Sequence, residues 1–220
     1  MKLTAEQINY IENYIESFDI KWFEIQVELT DHMVAIMEEI WEQDPELTFH
    51  QVKYQAEQRF GSGYFKTIVA ERKTILHKEY NKQQRKMVGE FLRFPKIIAS
   101  ILLGVVAYQV SFYFESPAKY VSGLFGGLFI FTLATFYSWF KNRKMDGKRF
   151  LGVEISSSLV STGPLLGISL ANVIKDEIIY NSKLVIPFIG LWVLLFLFCI
   201  TGIHIQRTIL KTIKKQYQLS

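Results

Sequence analysis

The sequence predicts an all-α membrane protein, in which a small cytoplasmic N-terminal helical bundle is followed by a four-helix transmembrane domain. Charged and apolar residues are distributed unevenly along the 220 residues. Through Leu92 there are 16 Asp and Glu residues against 11 Lys and Arg, whereas from Arg93 onward there are 5 against 14. The chain therefore has two unlike halves, one acidic and one basic.

Four long apolar runs in the second half predict four membrane spans. They comprise residues 94–114, 120–140, 150–174 and 184–205, so each is 21 to 25 residues long. A helix needs about 20 residues to cross the hydrocarbon core of a bilayer. Each run is thus long enough to form one transmembrane helix.

The charges that flank these runs predict their orientation. The loop at 141–150 holds five cations, and the stretch at 82–96 and the tail at 206–220 are also basic. The loops at 115–119 and 175–183 carry no net charge. Because Lys and Arg in short loops favour the cytoplasmic side, we expect both termini in the cytoplasm and the spans in a bacterial inner membrane.

Four helices are predicted before the first span. Thr4 with Gln7 is a capping-box pattern that begins the first helix. The second helix carries an apolar stripe with steps of three and four residues, and it ends before Pro45. A third helix begins after Thr48 and a fourth near Tyr64. The stripe of the second helix consists of Trp22, Ile25, Leu29, Met33, Ile36 and Ile40.

These patterns divide the chain into four parts. Residues 1–80 are predicted to form a cytoplasmic acidic helical module, and residues 81–93 a basic juxtamembrane helix. The transmembrane domain covers residues 94–205, and residues 206–220 form a basic cytoplasmic tail. We expect the module to fold around its own small core, because the apolar stripes of its helices can converge.

The first two helices are strongly acidic, with 11 acidic and 2 basic residues in the first 44. One interpretation is a solvated face that keeps the module soluble, and another is a docking face for a basic partner. A third is internal neutralisation by the cations of the fourth helix. The candidate partner-binding residues are Glu24, Glu28, Asp31, His32, Glu38 and Glu39.

A family resemblance lies in the segments EIQVELTDHMVAIMEEI and LTFHQVKYQAEQRFGSG. Their most specific elements are Glu28-Leu29, Asp31-His32 and Phe60-Gly61. Over about residues 1–65 the chain resembles the HAAS (helix-turn-helix-associated α-helical signalling) module, although Gln55-Ala56 stands where that family usually has an acidic residue before Ala. The resemblance implies a helical module joined to a few transmembrane helices and associated with PadR-like transcription regulators.

Two features within the predicted spans are candidates for special roles. Gly123 with Gly127, and Gly163 with Gly167, are spaced so that a neighbouring helix could approach closely, and we expect them to be helix-packing positions. Glu154 is the only carboxylate inside a predicted span. A proton or ion role is one hypothesis. Its place near the cytoplasmic end favours an interfacial salt bridge with the cations just before it.

The sequence contains no pattern typical of an enzyme or a metal site. There is no HExxH motif, phosphate-binding glycine loop or nucleophile elbow, and the single cysteine, Cys199, lies within an apolar run. We therefore expect no catalytic residue, metal or cofactor. Direct nucleic-acid binding is not expected either, because the cations flank apolar runs rather than forming one soluble basic face.

These observations predict a membrane-anchored signalling or regulatory protein whose cytoplasmic module binds a protein partner. The family resemblance implies that this partner is a PadR-like regulator. An alternative is an accessory or structural subunit of a larger membrane assembly, such as a transporter complex, and a homo-oligomer is a further possibility. A transporter in its own right is disfavoured by the near absence of charge within the spans.

Overall fold

The computed structural model describes residues 2–60 and 63–218, and within them all side chains except those of residues 161–163, 168 and 172. The described residues form α-helices and one 3-10 helix and contain no β-strand, so the all-α prediction is confirmed. The helices are α1 (Ala5–Glu16), α2 (Phe23–Gln43), α3 (Phe49–Phe60), α4 (Tyr64–Phe91), α5 (Ile97–Ser111), α6 (Pro117–Gly127), α7 (Phe129–Asn142), α8 (Leu151–Tyr180) and α9 (Val185–Gln216), with the 3-10 helix at Ser182–Leu184.

The chain divides into two compact units. Unit 1 comprises the described residues of Met1–Ile75 together with Lys144–Leu151, and unit 2 comprises Leu76–Arg143 with the described residues of Gly152–Ser220. Unit 1 therefore contains α1 to α3, the first part of α4 and a short segment between α7 and α8. Unit 2 contains the apolar helices.

Local sequence signals begin the helices of unit 1 as predicted. The Thr4 hydroxyl accepts a hydrogen bond from Gln7 N–H at 3.3 Å, and the Gln7 side chain accepts one from Thr4 N–H at 2.9 Å. Thr48 and Gln51 form the same reciprocal pair at 3.4 and 2.8 Å. Both capping boxes satisfy helix N–H groups that would otherwise lack partners.

The core of unit 1 follows the predicted stripe of α2 with one difference. Ile25, Leu29 and Met33 are at most 1% exposed, and the next fully buried residue is Met37 rather than Ile36, which is half-buried. A straight helix repeats every 3.6 residues, so over several turns the buried stripe moves by one position. Side chains of α1 and α3 complete the core, namely Ile11, Ile15, Val52 and Ala56.

The segment Lys144–Leu151 forms a tight turn that packs within unit 1. Met145 and Lys148 exchange two backbone hydrogen bonds of 2.9 and 3.0 Å around Asp146-Gly147, whose φ angles are both positive. Two positive φ angles define the type I′ turn, for which Asp-Gly is a preferred pair. Phe23 N–H then donates to the carbonyl of Arg149 at 2.9 Å.

Three helical segments of unit 2 are long and apolar enough to cross a membrane, which supports a membrane protein. They are Pro117–Asn142, Leu151–Ala171 and Ser182–Gln216. The first predicted span, residues 94–114, corresponds to a shorter apolar helix, Ile97–Ser111. Its length of 15 residues is below the roughly 20 that a full crossing needs.

The helix boundaries in unit 2 differ from the apolar runs at several points. The second run is divided into α6 and α7 at Leu128, directly after the Gly126-Gly127 pair, which weakens a helix. The third run continues as α8 to Tyr180 through a charged stretch in which Lys175 and Glu177 are good helix formers. The fourth continues as α9 to Gln216, so part of the predicted tail is helical.

Helix α9 is the centre of unit 2. Its Trp192 indole N–H donates to the Leu124 carbonyl of α6 at 3.0 Å. The buried Gln84 side chain of α4 donates to the Phe198 carbonyl of α9 at 2.9 Å. At Gly202 a Cβ atom would lie 2.9 Å from Val160 Cγ2 of α8, so only glycine fits without a shift.

Candidate partner-binding site

Three of the predicted partner-binding carboxylates are bound within unit 1. Glu28 accepts hydrogen bonds from Arg72 Nε at 2.9 and 2.8 Å, and the second guanidinium nitrogen also contacts it. This hydrogen bonding is the main reason that the pKa of Arg72 is raised. Glu38 accepts from Leu3 N–H at 3.1 Å, and Glu39 accepts from Arg59 at 3.0 Å.

The other predicted residues differ in exposure. Asp31 and His32 are exposed on α2, whereas Glu24 is half-buried. The cation that binds Glu28 is Arg72, while the neighbouring Lys73 lies over the Trp22 ring at 4.4 Å. Within unit 1 the structure therefore supports internal neutralisation for part of the acidic face.

A cavity of about 780 Å³ lies elsewhere in unit 1, where the end of α1 meets the end of α3 and the start of α4. Aromatic and aliphatic side chains form most of its wall, and three charged residues also line it. The described lining residues are Tyr14, Phe18, Asp19, Ile20, Trp22, Glu57, Gln58, Phe60, Gly63, Phe65, Lys66 and Val69.

The aromatic rings around this cavity form one connected cluster. Phe18 and Phe65 have ring centroids 4.6 Å apart, and Phe60 lies 5.7 Å from Phe65. Tyr14 packs edge-on against Phe18 at 5.0 Å. Phe18 is nevertheless 45% exposed. Phe18 is thus the open part of a connected apolar cluster beside a cavity, and contiguous apolar surface of this kind is typical of an interaction site.

Polar contacts hold two of the lining residues, Tyr14 and Glu57, in place. Lys53 forms a salt bridge with Glu57, and its ammonium group lies 3.8 Å from the centroid of the Tyr14 ring. Burial raises the pKa of Tyr14, and its hydrogen bond to Glu57 raises it further. The phenol therefore stays protonated. Asp19 and Lys66 are the other charged residues that line the cavity.

This arrangement can bind an apolar side chain and orient its attached polar groups through the charged lining residues. Across the part of the chain that the structure describes, no three His, Cys, Asp or Glu residues are grouped so that they could hold a metal ion.

The predicted intramembrane residues have different surroundings in unit 2. At Gly167 a Cβ atom would lie 3.2 Å from the backbone oxygen of Phe125, so α8 approaches α6 closely there. A Cβ at Gly123 or Gly127 would meet nothing within 4 Å. The surroundings of Gly163 lie outside the described residues. Glu154 is half-buried in the first turn of α8.

Sequence reasoning missed the aromatic cavity. Phe18 continues the apolar spacing of Ile11 and Ile15, yet α1 ends at Glu16 and the chain turns through Asp19, which has a φ of 54°. The sequence feature that could have indicated the cavity is an aromatic residue at or near each of three helix ends, namely Phe18, Phe60 and Phe65. Their convergence depends on helix packing, which no local pattern specifies.

The residues behind the HAAS resemblance fall in unit 1, apart from Gly61, which lies outside the described residues. Leu29 is fully buried, Asp31 and His32 are exposed, and Phe60 lines the cavity. Comparison with models of protein families, with curated proteins and with solved structures found no match for this chain. The HAAS assignment therefore stays a prediction from the residues themselves.

Proposed function

We propose that this chain is a membrane-anchored signalling or regulatory protein whose N-terminal module binds a cytoplasmic protein partner through the aromatic cavity of unit 1. The observation that carries the proposal is the partly exposed Phe18 beside a cavity of about 780 Å³. The HAAS resemblance makes a PadR-like transcription regulator the expected class of partner.

The charge of unit 1 favours a basic partner segment. Its two sequence ranges contain 15 Asp and Glu residues against 10 Lys and Arg, a net charge of −5. Opposite charges on two proteins speed their association. A large apolar side chain that fills a pocket then supplies much of the binding free energy. We therefore expect an amphipathic basic segment with at least one aromatic or long aliphatic residue.

The turn at Lys144–Leu151 supports a cytoplasmic module and four spans. Its hydrogen bond with Phe23, and the Lys148 ammonium 3.6 Å from the Phe23 ring centroid, require the turn and the module to be on one side of the membrane. The chain between Ile75 and Lys144 must then cross the membrane an even number of times. If Pro117–Asn142 crosses once, α5 is the helix available for the second crossing.

The short length of α5 is compatible with this topology. Fifteen residues span about 22 Å at 1.5 Å each, against a hydrocarbon core of about 30 Å. Phe112, Tyr113 and Phe114 follow the helix and are exposed, so they extend its apolar surface. Local bilayer thinning absorbs the remaining mismatch at a modest cost. With the basic turn in the cytoplasm, both termini are cytoplasmic.

Affinity purification of the full-length chain from detergent-solubilised membranes tests the partner site. Phe18→Asp places a charge at the cavity and should remove the partner from the purified sample. Tyr54→Asp introduces the same charge on α3 at a residue that is 62% exposed and does not line the cavity. This control should retain the partner.

The identity of the retained protein separates the two candidate functions. A cytoplasmic transcription regulator of the PadR type supports the regulatory proposal, whereas an integral membrane transporter subunit supports the accessory-subunit alternative. Equal recovery of one partner with Phe18→Asp and with Tyr54→Asp would contradict the cavity as the binding site. Circular dichroism of both variants checks that each remains helical.

A further inference from the structure

A second cavity lies in unit 2 along the apolar helix α6. Its volume is about 540 Å³. Gly123 and Gly127 form its floor, and a Cβ on either would meet nothing within 4 Å. The described lining residues are Phe114, Lys119, Tyr120, Gly123, Leu124, Gly127, Leu128, Phe131, Trp192 and Phe196. We call this cavity the glycine-floored groove.

Aromatic side chains hold the walls of the glycine-floored groove in place. Trp192 and Phe196 stack with ring centroids 5.4 Å apart, and Phe131 meets Phe196 edge-on at 5.5 Å. The Trp192 indole N–H is already bonded to the Leu124 carbonyl. The walls therefore present apolar ring surface and need no polar partner from a ligand.

One charged residue is found among the described lining residues. Lys119 lies in the first turn of α6, at the end of the glycine-floored groove where that helix begins. The amino end of a helix carries partial positive charge, which adds to that of the ammonium group. The nearest carboxylate in the sequence, Glu115, is exposed and does not line the groove. This end therefore favours an anion.

The chemistry of the groove matches a lipid. It is apolar along α6 and carries a cation at one end, so it suits a ligand with one apolar chain and one anionic group.

We propose that the glycine-floored groove is a binding site for an anionic phospholipid, with one acyl chain along Gly123 and Gly127 and the headgroup phosphate at Lys119. The apolar walls bind the chain by excluding water and by dispersion contacts. The ammonium group selects an anionic headgroup over a zwitterionic one, because a single Lys at a membrane surface changes anionic-lipid affinity by about fivefold. This site does not depend on the partner proposed for unit 1.

Native mass spectrometry of the full-length chain in detergent tests the site, with phosphatidylglycerol or phosphatidylcholine of the same acyl composition added. We expect wild type to retain one phosphatidylglycerol about fivefold more readily than phosphatidylcholine. Lys119→Gln should remove this preference. Lys183→Gln makes the same charge change at an exposed residue outside the groove and should keep the preference.

A second pair of variants tests the acyl-chain path. Gly123→Leu fills the floor of the groove and should abolish retention of either lipid. Gly126→Leu adds the same side chain to the same helix at a glycine that also has open space but does not line the groove. It should bind lipid like wild type. Equal lipid retention by these two variants, or an unchanged preference in Lys119→Gln, would overturn the proposal.

Fluorescence provides an independent measurement if a variant is poorly folded. Brominated phosphatidylglycerol in vesicles should quench wild-type tryptophan fluorescence more than brominated phosphatidylcholine does, and the excess should be absent in Trp192→Phe. The same excess in both proteins would place the lipid elsewhere and contradict the site. A wild-type dimer that Gly123→Leu converts to monomer would assign the groove to a second copy instead.

Discussion

Arg72 and Glu28 show how a single contact changes the meaning of an acidic residue. In the sequence Glu28 is one of many carboxylates on an acidic helix, and its function as a docking residue is a reasonable hypothesis. In the structure both carboxylate oxygens of Glu28 accept hydrogen bonds from Arg72, which lies 44 residues later in the chain, on α4. The sequence could not specify this pair, because it depends on where α4 packs rather than on helical spacing.

Replacement of this carboxylate should weaken unit 1. We predict that Glu28→Gln lowers the free energy of unfolding by about 0.5–1 kcal/mol, because a partly exposed bidentate pair is lost. Asp31→Asn, an equivalent change at an exposed residue of the same helix, should cost less than about 0.5 kcal/mol. Thermal unfolding of the full-length chain in detergent, followed by tryptophan fluorescence, measures both. Equal losses in the two variants would contradict the pair.

The helices of unit 1 could be predicted well because their signals are local. The capping boxes at Thr4 and Thr48 and the stripe of α2 each require only neighbouring residues. The division of the second apolar run at Leu128 was not predicted, since hydropathy alone does not register a pair of glycines. The turn at Asp146-Gly147 was also missed, although Asp-Gly is a strong local signal for it.

The core position of α2 gives a stability prediction at the scale of this element. Leu29 is 0% exposed, so Leu29→Ala should lower the free energy of unfolding by about 2–4 kcal/mol through lost burial and the cavity left behind. Tyr54→Ala truncates a 62% exposed side chain on α3 and should cost less than about 1 kcal/mol. Denaturant unfolding monitored by circular dichroism compares them. Similar losses would show that α2 does not face the core.

Gly167 and Gly123, one from each predicted glycine pair, allow a separate stability prediction for the apolar helices. Gly167→Ala should destabilise unit 2 by about 1–3 kcal/mol, because its methyl group meets the Phe125 backbone oxygen at 3.2 Å. Gly123→Ala has open space, and the better helix propensity of alanine should leave stability equal or raised by up to about 1 kcal/mol. Resistance to unfolding by added SDS ranks the two. The opposite order would contradict close packing of α8 on α6.

At the scale of the whole molecule, the sequence separates an acidic helical half from an apolar basic half, and it indicates the sides of the membrane from loop charge. It does not show that Lys144–Leu151 packs with the N-terminal helices. That contact joins residues more than a hundred positions apart, at Phe23 and Arg149. The basic loop is therefore more than an indicator of which side of the membrane it lies on, because part of it is also a structural part of the module.

Cysteine accessibility tests the central claim, that the module and the basic turn share the cytoplasmic face of a four-span protein. Single cysteines are placed in a Cys199→Ala background at Tyr54 in the module and Lys144 in the turn, and at Glu115 and Ser182 in the two opposite loops. All four are exposed. Lys144 is preferable to Gly147, whose φ of 79° disfavours a side chain.

A membrane-impermeant maleimide added to intact cells provides the measurement. We predict that the cysteines at 115 and 182 react in intact cells, whereas those at 54 and 144 react only after the membrane is permeabilised. Reaction of the cysteine at 144 from outside, with the one at 54 protected, would mean an odd number of crossings between them. That result would contradict both the four spans and the shared cytoplasmic face.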